Sequence, residues 1–163
     1  MTKVRVGIGF DQHAFVASAE ENRPLVLGGV TFDAERGLRG HSDADVVAHA
    51  VADAMLGAAS LGDLGAHFPD SDPRWADADS LTLLARVASI VKSAGLQLSN
   101  ADCTVICENP RIGRARENMM ERLSAAASGP VHVKATRPEG LGSLGRGEGI
   151  ACLATALLEE IGS

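Results

Sequence analysis

The 163-residue chain contains no tyrosine, and its aromatic rings besides histidine are Phe10, Phe15, Phe32, Phe68 and Trp75. Five rings scattered along the chain build no base-stacking platform, which argues against a single-strand binder. Basic residues are the minority, with 15 Lys and Arg against 21 Asp and Glu and a formal charge of −6. That balance opposes sequence-independent attraction to nucleic acid or to an anionic membrane. No apolar run approaches the ~20 residues of a spanning helix. The opening MTKVRVGIGF alternates polar and apolar residues where a secretory leader would be continuously apolar. The three cysteines, Cys103, Cys107 and Cys152, show no CxxC spacing. An odd count without that spacing fits small buried hydrophobes in a reducing compartment, so a cytoplasmic protein is expected.

What the chain does have is an apolar fraction of 45%, carried largely by Ala, Val and Leu, and a length suited to one domain spanning residues 1–163. Val4, Val6, Ile8 and Phe10 alternate with polar or small residues, which predicts a strand over 3–10. Residues 24–33, with Gly28-Gly29 inside, read as a second strand or hairpin. Apolar positions recur at helical spacing over 43–58, and Ser42 with Asp45 reads as a capping box. GDLG at 62–65 and FPDSDP at 68–73 are turn chemistry and predict a mobile surface loop. Ser80 reads as the cap of the next helix, which stops at Gly95. A strand over 100–107, a helix over 114–127, a strand over 131–136 and a final helix over 148–161 complete the order β-β-α-α-β-α-β-α. The expected fold is α+β (mixed α/β), with a mixed four- to five-stranded sheet and helices mainly on one face.

Three constellations carry chemistry. In Asp11-Gln12-His13, at the end of the first strand, alternate side chains point the same way, so Asp11 and His13 project together. His49 lies on the following helix, between Asp45 and Asp53 at spacings of four. Two imidazoles and a carboxylate make a three-ligand N/N/O set with one open position, as in a catalytic zinc site. The competing reading of His49 is a hydrogen-bonded structural histidine. Next, His41-Ser42 stands at the start of that helix, where unpaired N–H groups and the dipole favour phosphate. Ser42 as a plain cap is the alternative. Last, Gly140 to Gly149 contains a literal GxGxxG. A dinucleotide-binding unit needs a strand beyond the helix and an acid about 20 residues on. With a helix expected here and Ser163 directly after it, that reading fails. Backbone N–H groups with Arg146 could still hold phosphate, or the segment is a flexible turn.

Taken in order, GFDQHAF at 9–15, LGG at 27–29, HSDADVVAHAVADAMLGAASLGDLGAHFPDSDP at 41–73 and KATRPEGLGSLGRGEGIAC at 134–152 resemble the 2-C-methyl-D-erythritol 2,4-cyclodiphosphate synthase family of the non-mevalonate isoprenoid pathway. By that resemblance Asp11, His13 and His49 are zinc ligands, with Gln12 beside them in the substrate pocket. His41, as a catalytic group, and Ser42 contact the phosphate under attack. Asp63, Leu64 and Gly65 match segments that hold the methylerythritol part, as do Phe68, Pro69, Asp70, Ser71 and Asp72. The cytidine and diphosphate pocket is matched by Cys107, Glu108, Asn109, Pro110, Arg111, Ile112 and Gly113, together with Thr136, Arg137, Pro138 and Glu139. Glu139 falls where the family binds a second divalent ion, Mg2+ or Mn2+. Family members are homotrimers with each site between neighbouring subunits. Ser143 and Arg146 match positions toward a central channel that can meet isoprenoid diphosphates.

The implied reaction is an intramolecular phosphoryl transfer. The 2-phosphate of 4-diphosphocytidyl-2-C-methyl-D-erythritol 2-phosphate attacks the β-phosphorus, CMP leaves, and the cyclic diphosphate forms. A phosphate monoester with a second pKa of ~6 is largely ionised at neutral pH and needs no general base. The protein must fold the substrate and oppose its charge, and positioning alone is worth roughly 7–11 kcal/mol. Two departures stand out. Arg137 occupies the position that polarises the reacting phosphate, where many members carry Thr; its reach and fork geometry differ, and the Thr136 hydroxyl is an alternative source. Ser143 replaces an aromatic residue common at the channel, which weakens the hold on an isoprenoid tail. The competing functions are a zinc-dependent phosphohydrolase that activates water and a non-catalytic trimeric carrier of isoprenoid diphosphates. A carrier's structural zinc would need a fourth protein ligand, and His67 is the nearest spare.

Overall fold

The computed structural model describes residues 3–18 and 22–162. Its elements run β1 (Val4–Ala14), β2 (Leu25–Leu27), β3 (Val30–Phe32), α1 (Val46–Ala59), α2 (Leu64–His67), a 3₁₀ turn (Pro73–Trp75), α3 (Ser80–Ser93), β4 (Leu96–Ile106), α4 (Arg116–Ala127), β5 (Val131–Thr136), α5 (Gly142–Gly145) and β6 (Gly149–Glu160). Four strands make one sheet in the order β1-β6-β4-β5, and β2 pairs with β3 as a separate hairpin. The sheet is mixed: β6 runs antiparallel to both neighbours and β4 pairs parallel with β5. This is the expected mixed α/β domain with four strands in its main sheet.

Residues 148–161 depart from expectation, since the chain there is the strand β6 and not a helix. Ala, Leu and Glu favour helix intrinsically, but tertiary context decides. Ile150, Cys152, Ala154, Ala156 and Leu158 are buried at every second position, while Leu153 is 39% exposed. Lying between two strands, the segment satisfies its backbone on both sides. The GxGxxG segment therefore leads through the single turn of α5 into a strand, which removes the dinucleotide reading a second way.

Residues of β1 divide by parity. Gly7 and Gly9 face α1 so closely that a Cβ on Gly9 would stand 2.0 Å from the Ala50 carbonyl oxygen, and one on Gly7 2.1 Å from that of Ala54. Val4, Val6, Ile8 and Phe10 point the other way and are 52–72% exposed. All of α1 except Asp53 and Gly57 is buried, as befits a helix apolar all round. Its N-cap is Asp45, whose carboxylate accepts from Val47 N and Ala48 N and also from Gly28 N at 2.8 Å and Gly29 N at 2.7 Å. Gly28 and Gly29 have φ of +57° and +74°, so one carboxylate ties the α1 start to a hairpin turn that only glycine enters freely.

The capping box is accordingly corrected: Asp45 is itself the cap, the helix starts at Val46 and not at 43, and Ser42 lies outside it. Asp79, not Ser80, caps α3, because its carboxylate reaches Leu81 N while Ser80 faces inward. The loop segments at 62–65 and 68–73 carry the short helix α2 and lead into a 3₁₀ turn.

Candidate metal and phosphate site

The odd-numbered face of β1 that holds Gly7 and Gly9 continues into Asp11 and His13, so the close approach of α1 brings His49 against them. Asp11 Oδ2 lies 2.9 Å from His49 Nδ1 and 3.1 Å from His13 Nε2. Asp11, His13 and His49 each present one ligand atom, all within 4.8 Å of one another. The other ring nitrogens are engaged as well. His13 Nδ1 meets the Arg39 carbonyl at 2.6 Å, and His49 Nε2 meets Ser80 Oγ at 2.8 Å and Ser42 Oγ at 3.2 Å. A carbonyl only accepts, so His13 holds a proton on Nδ1, and in the neutral ring its Nε2 lone pair faces Asp11. Two lone-pair nitrogens converging with a carboxylate oxygen suit a divalent cation of the zinc type.

Without a cation, protonated imidazoles take its place and donate to the Asp11 carboxylate. Burial pushes the Asp11 carboxyl up, but the hydrogen bonds and charges of His13 and His49 outweigh it and hold Asp11 well below the ordinary carboxylate range. Burial likewise pulls His13 down, and the Asp11 hydrogen bond and charge, with the Arg39 carbonyl, lift it above its usual value.

A cavity of about 190 Å³ opens beside the cluster. His13, His41, Ser42 and His49 line it together with Leu64, Gly65, Phe68 and Asp70. His41 Nε2 is buried with no hydrogen-bond partner among the described residues. The helix-terminus reading of His41-Ser42 is corrected. They precede α1 by several residues, and the Asp45 carboxylate already occupies its first N–H groups. Neither flanking carboxylate of α1 joins the cluster, since Asp45 caps the helix and Asp53 accepts from Leu64 N at 2.7 Å. His67 is turned away to the Leu61 carbonyl, 2.8 Å off. Asp63 caps α2, and Asp72 caps the 3₁₀ turn and holds the Arg74 guanidinium. Pro69 and Ser71 are exposed on the rim.

The residues matched above to a cytidine and diphosphate pocket gather elsewhere. Cys107, Glu108, Pro110, Arg111, Ile112 and Gly113 line a second cavity of about 520 Å³ with Thr136, Arg137 and Glu139. Here Glu108 receives the Arg137 guanidinium at 2.8 Å and Gly140 N at 2.8 Å. Asn109, joined by a cis bond to Pro110, faces an adjoining groove of about 570 Å³. The Pro138 carbonyl accepts from Leu141 N. Burial, with the neighbouring Glu108, pushes the Cys107 thiol up to about 11. Gln12 and Ser143 line a smaller hollow of about 250 Å³, and Arg146 pairs with Glu148 at 2.6 Å. β1, which carries Asp11 and His13, and β5, which leads to Arg137, are the opposite edges of the sheet, and the two cavities share no lining residue.

Several site residues escape sequence reasoning. Trp75 lines the first cavity and packs edge-on to Phe68 with ring centroids 5.0 Å apart. Its signal was its rarity, as the lone Trp seven residues after Phe68. Ser80 and Asp43 back His49, and Arg116 joins the second cavity. A serine at a helix start carries no mark that separates a cap from an inward partner.

Comparison with known proteins follows the same pattern. The model of the YgbB family matches residues 4–159. A Geobacillus kaustophilus protein named 2-C-methyl-D-erythritol 2,4-cyclodiphosphate synthase is 53% identical over 159 residues, covering 96% of this chain and 98% of its own. A Rubrobacter xylanophilus protein of the same name is 56% identical, over 96% of this chain and 95% of its own. Among solved structures, the Plasmodium falciparum IspF described as a CDP complex superposes with a TM-score of 0.83 at 28% identity, covering 99% of both chains.

Proposed function

The chain belongs to the YgbB family, the 2-C-methyl-D-erythritol 2,4-cyclodiphosphate synthases of isoprenoid synthesis, and we propose how its two cavities divide that reaction. The 2-phosphate oxygen of the substrate forms a bond to the β-phosphorus, the bond from that phosphorus to the CMP oxygen breaks, and CMP departs with the electron pair. No water is consumed, which makes the step a phosphorus–oxygen lyase reaction. The observation that carries this reading is the convergence of Asp11, His13 and His49 beside a cavity lined by His13, His49, His41 and Ser42.

Asp11, His13 and His49 would hold zinc, which would supply positive charge to oppose and polarise the substrate diphosphate. His41, with its free buried Nε2, and the Ser42 hydroxyl meet the phosphate oxygens. Phe68, Asp70, Leu64, Gly65 and Trp75 enclose the methylerythritol part and exclude water. Cys107, Ile112 and their neighbours receive the cytidine. Arg137, oriented by Glu108, directs its charge at the reacting phosphate, with the Thr136 hydroxyl beside it. Glu139, exposed in that cavity, would take the second divalent ion, Mg2+ or Mn2+.

Both half-sites are needed for one reaction, and they stand apart in one chain. A homotrimer that sets the first cavity of one subunit against the second cavity of its neighbour completes the site. The exposed row Val4, Val6, Ile8, Phe10 and Leu153 supports such an assembly, since an apolar face of this kind marks an interface. Three free buried thiols fit the cytoplasm.

The test is product analysis by 31P NMR in H2(18)O. The expected result is one cyclic diphosphate and one CMP per substrate, with no heavy oxygen in either. A linear phosphate carrying 18O would mean that water is the nucleophile.

A further inference from the structure

We infer that Ser80, with Asp43 behind it, is a positioning residue that fixes the proton of His49 on Nε2 and so keeps Nδ1 free for the metal; this rests on the metal-site reading above. Ser80 is 1% exposed, the first residue of α3, and its hydroxyl lies between two partners. On one side it hydrogen-bonds Asp43 Oδ1; on the other it stands 2.8 Å from His49 Nε2.

The direction of each bond follows from what the groups can do. Asp43 acts as an acceptor throughout, taking Ser80 N on Oδ2 at 3.1 Å and Asp45 N on Oδ1 at 3.1 Å. A hydroxyl has one proton, and Ser80 gives it to Asp43. Toward His49 Ser80 can then only accept, so Nε2 carries the hydrogen and, in the neutral ring, Nδ1 keeps its lone pair. That lone pair points at Asp11 Oδ2, 2.9 Å away. Two acceptors face each other there, an arrangement that calls for a cation between them. The Arg39 carbonyl performs the same service for His13, so both imidazoles reach Asp11 in the form that ligates a metal.

Ser42 is the competing partner of His49 Nε2 at 3.2 Å, and it lies 3.4 Å from Ser80 Oγ. With Ser80 occupying Nε2 at the shorter distance, the Ser42 hydroxyl, which accepts from Ala44 N at 3.2 Å, keeps its own proton for another partner. Ser80 thus separates the metal-holding and phosphate-holding tasks of two adjacent groups. Because Ser80 opens α3 and His49 sits in α1, the device also locks the two helices in the register that the site needs.

The experiment is zinc competition against a chromophoric chelator, joined with the visible spectrum of the Co2+-loaded protein, for wild type and Ser80→Ala. Loss of a partner behind a ligating histidine weakens metal binding by roughly 10–100-fold. Ser80→Ala is expected to lose affinity in that range and to shift the Co2+ bands, with its far-UV dichroism unchanged. Ser80→Thr, which restores a hydroxyl, recovers most of both. Asp43→Asn, which frees the Ser80 proton to turn toward His49, gives a smaller loss and serves if Ser80→Ala does not fold. Wild-type affinity and an unshifted Co2+ spectrum in Ser80→Ala overturn the inference, as does a loss in Ser42→Ala that Ser80→Ala does not share. If wild type itself takes up no stoichiometric zinc, the metal-site reading falls first, and that result is distinct from either.

Discussion

Asp11 and His13 are two residues apart on a strand, and that spacing alone puts both side chains on one face. This is why the pair is legible in the sequence, whereas the partner of His49 is not: Ser80 lies 31 positions away on another helix. Their coupling has a measurable consequence in the metal-free protein. Asp11 lifts His13 above its usual value of 6.5, so the proton on His13 stabilises the fold. That contribution is complete below 6.5 and is lost as pH rises through the higher folded value. Asp11, held below its usual 3.8, contributes stability that persists until strong acid. The melting temperature of chelator-stripped protein therefore falls as pH is raised past 6.5, and zinc, taking the proton's place, abolishes the fall. A stripped protein whose melting temperature is level or rising there contradicts this coupling. In the second cavity Glu108 orients the Arg137 guanidinium, and the proposed role of that charge is to act on the reacting phosphate. Arg137→Ala should lower kcat by about 10-fold or more while CMP affinity changes by less than about 3-fold. Unchanged turnover in steady-state kinetics would make Arg137 a wall of the pocket and nothing more.

Between elements, a few contacts set the geometry that the site inherits. Gly7 and Gly9 let α1 settle on β1, and a side chain at either would collide with helix backbone. Asp45 then fixes where α1 begins, by accepting two N–H groups of the helix and two of the β2–β3 turn. Asp45→Ala strands four buried or half-buried donors, and we expect a loss of about 3 kcal/mol or more in urea unfolding. A loss below about 1 kcal/mol would show that water replaces the carboxylate. The helical period of α1 and the alternation of β1 are written in single-residue patterns, and both are readable. The strand β6 is not, because Ala151 and Leu157 interrupt its period with apolar residues on the second face. Its identity is decided by β1 and β4 on either side, which no local window contains. The Ser42–Asp45 capping pattern misleads for a related reason, since Asp45 serves two elements at once and the Ser42 hydroxyl accepts from Ala44 N, outside the helix.

Across the whole molecule, helices cover one face of the sheet, and the other shows Val6 and Ile8 at 72% and 67% exposure. Together with half-sites that share no lining residue, that face argues for completion of each site by a neighbouring subunit. Sedimentation equilibrium should give about three times the 16.8 kDa chain mass, and Ile8→Asp should yield a folded, smaller and inactive species. A fully active monomer would remove the need for a neighbour. The account as a whole depends on a cation held by Asp11, His13 and His49. Its most direct test is CMP release by chelator-stripped protein titrated with zinc, in the presence of Mg2+. The predicted result is turnover that climbs from near zero and saturates at one zinc per chain in wild type and in His67→Ala, with His49→Ala inactive throughout. Full turnover by stripped protein, or by His49→Ala without zinc, would contradict it.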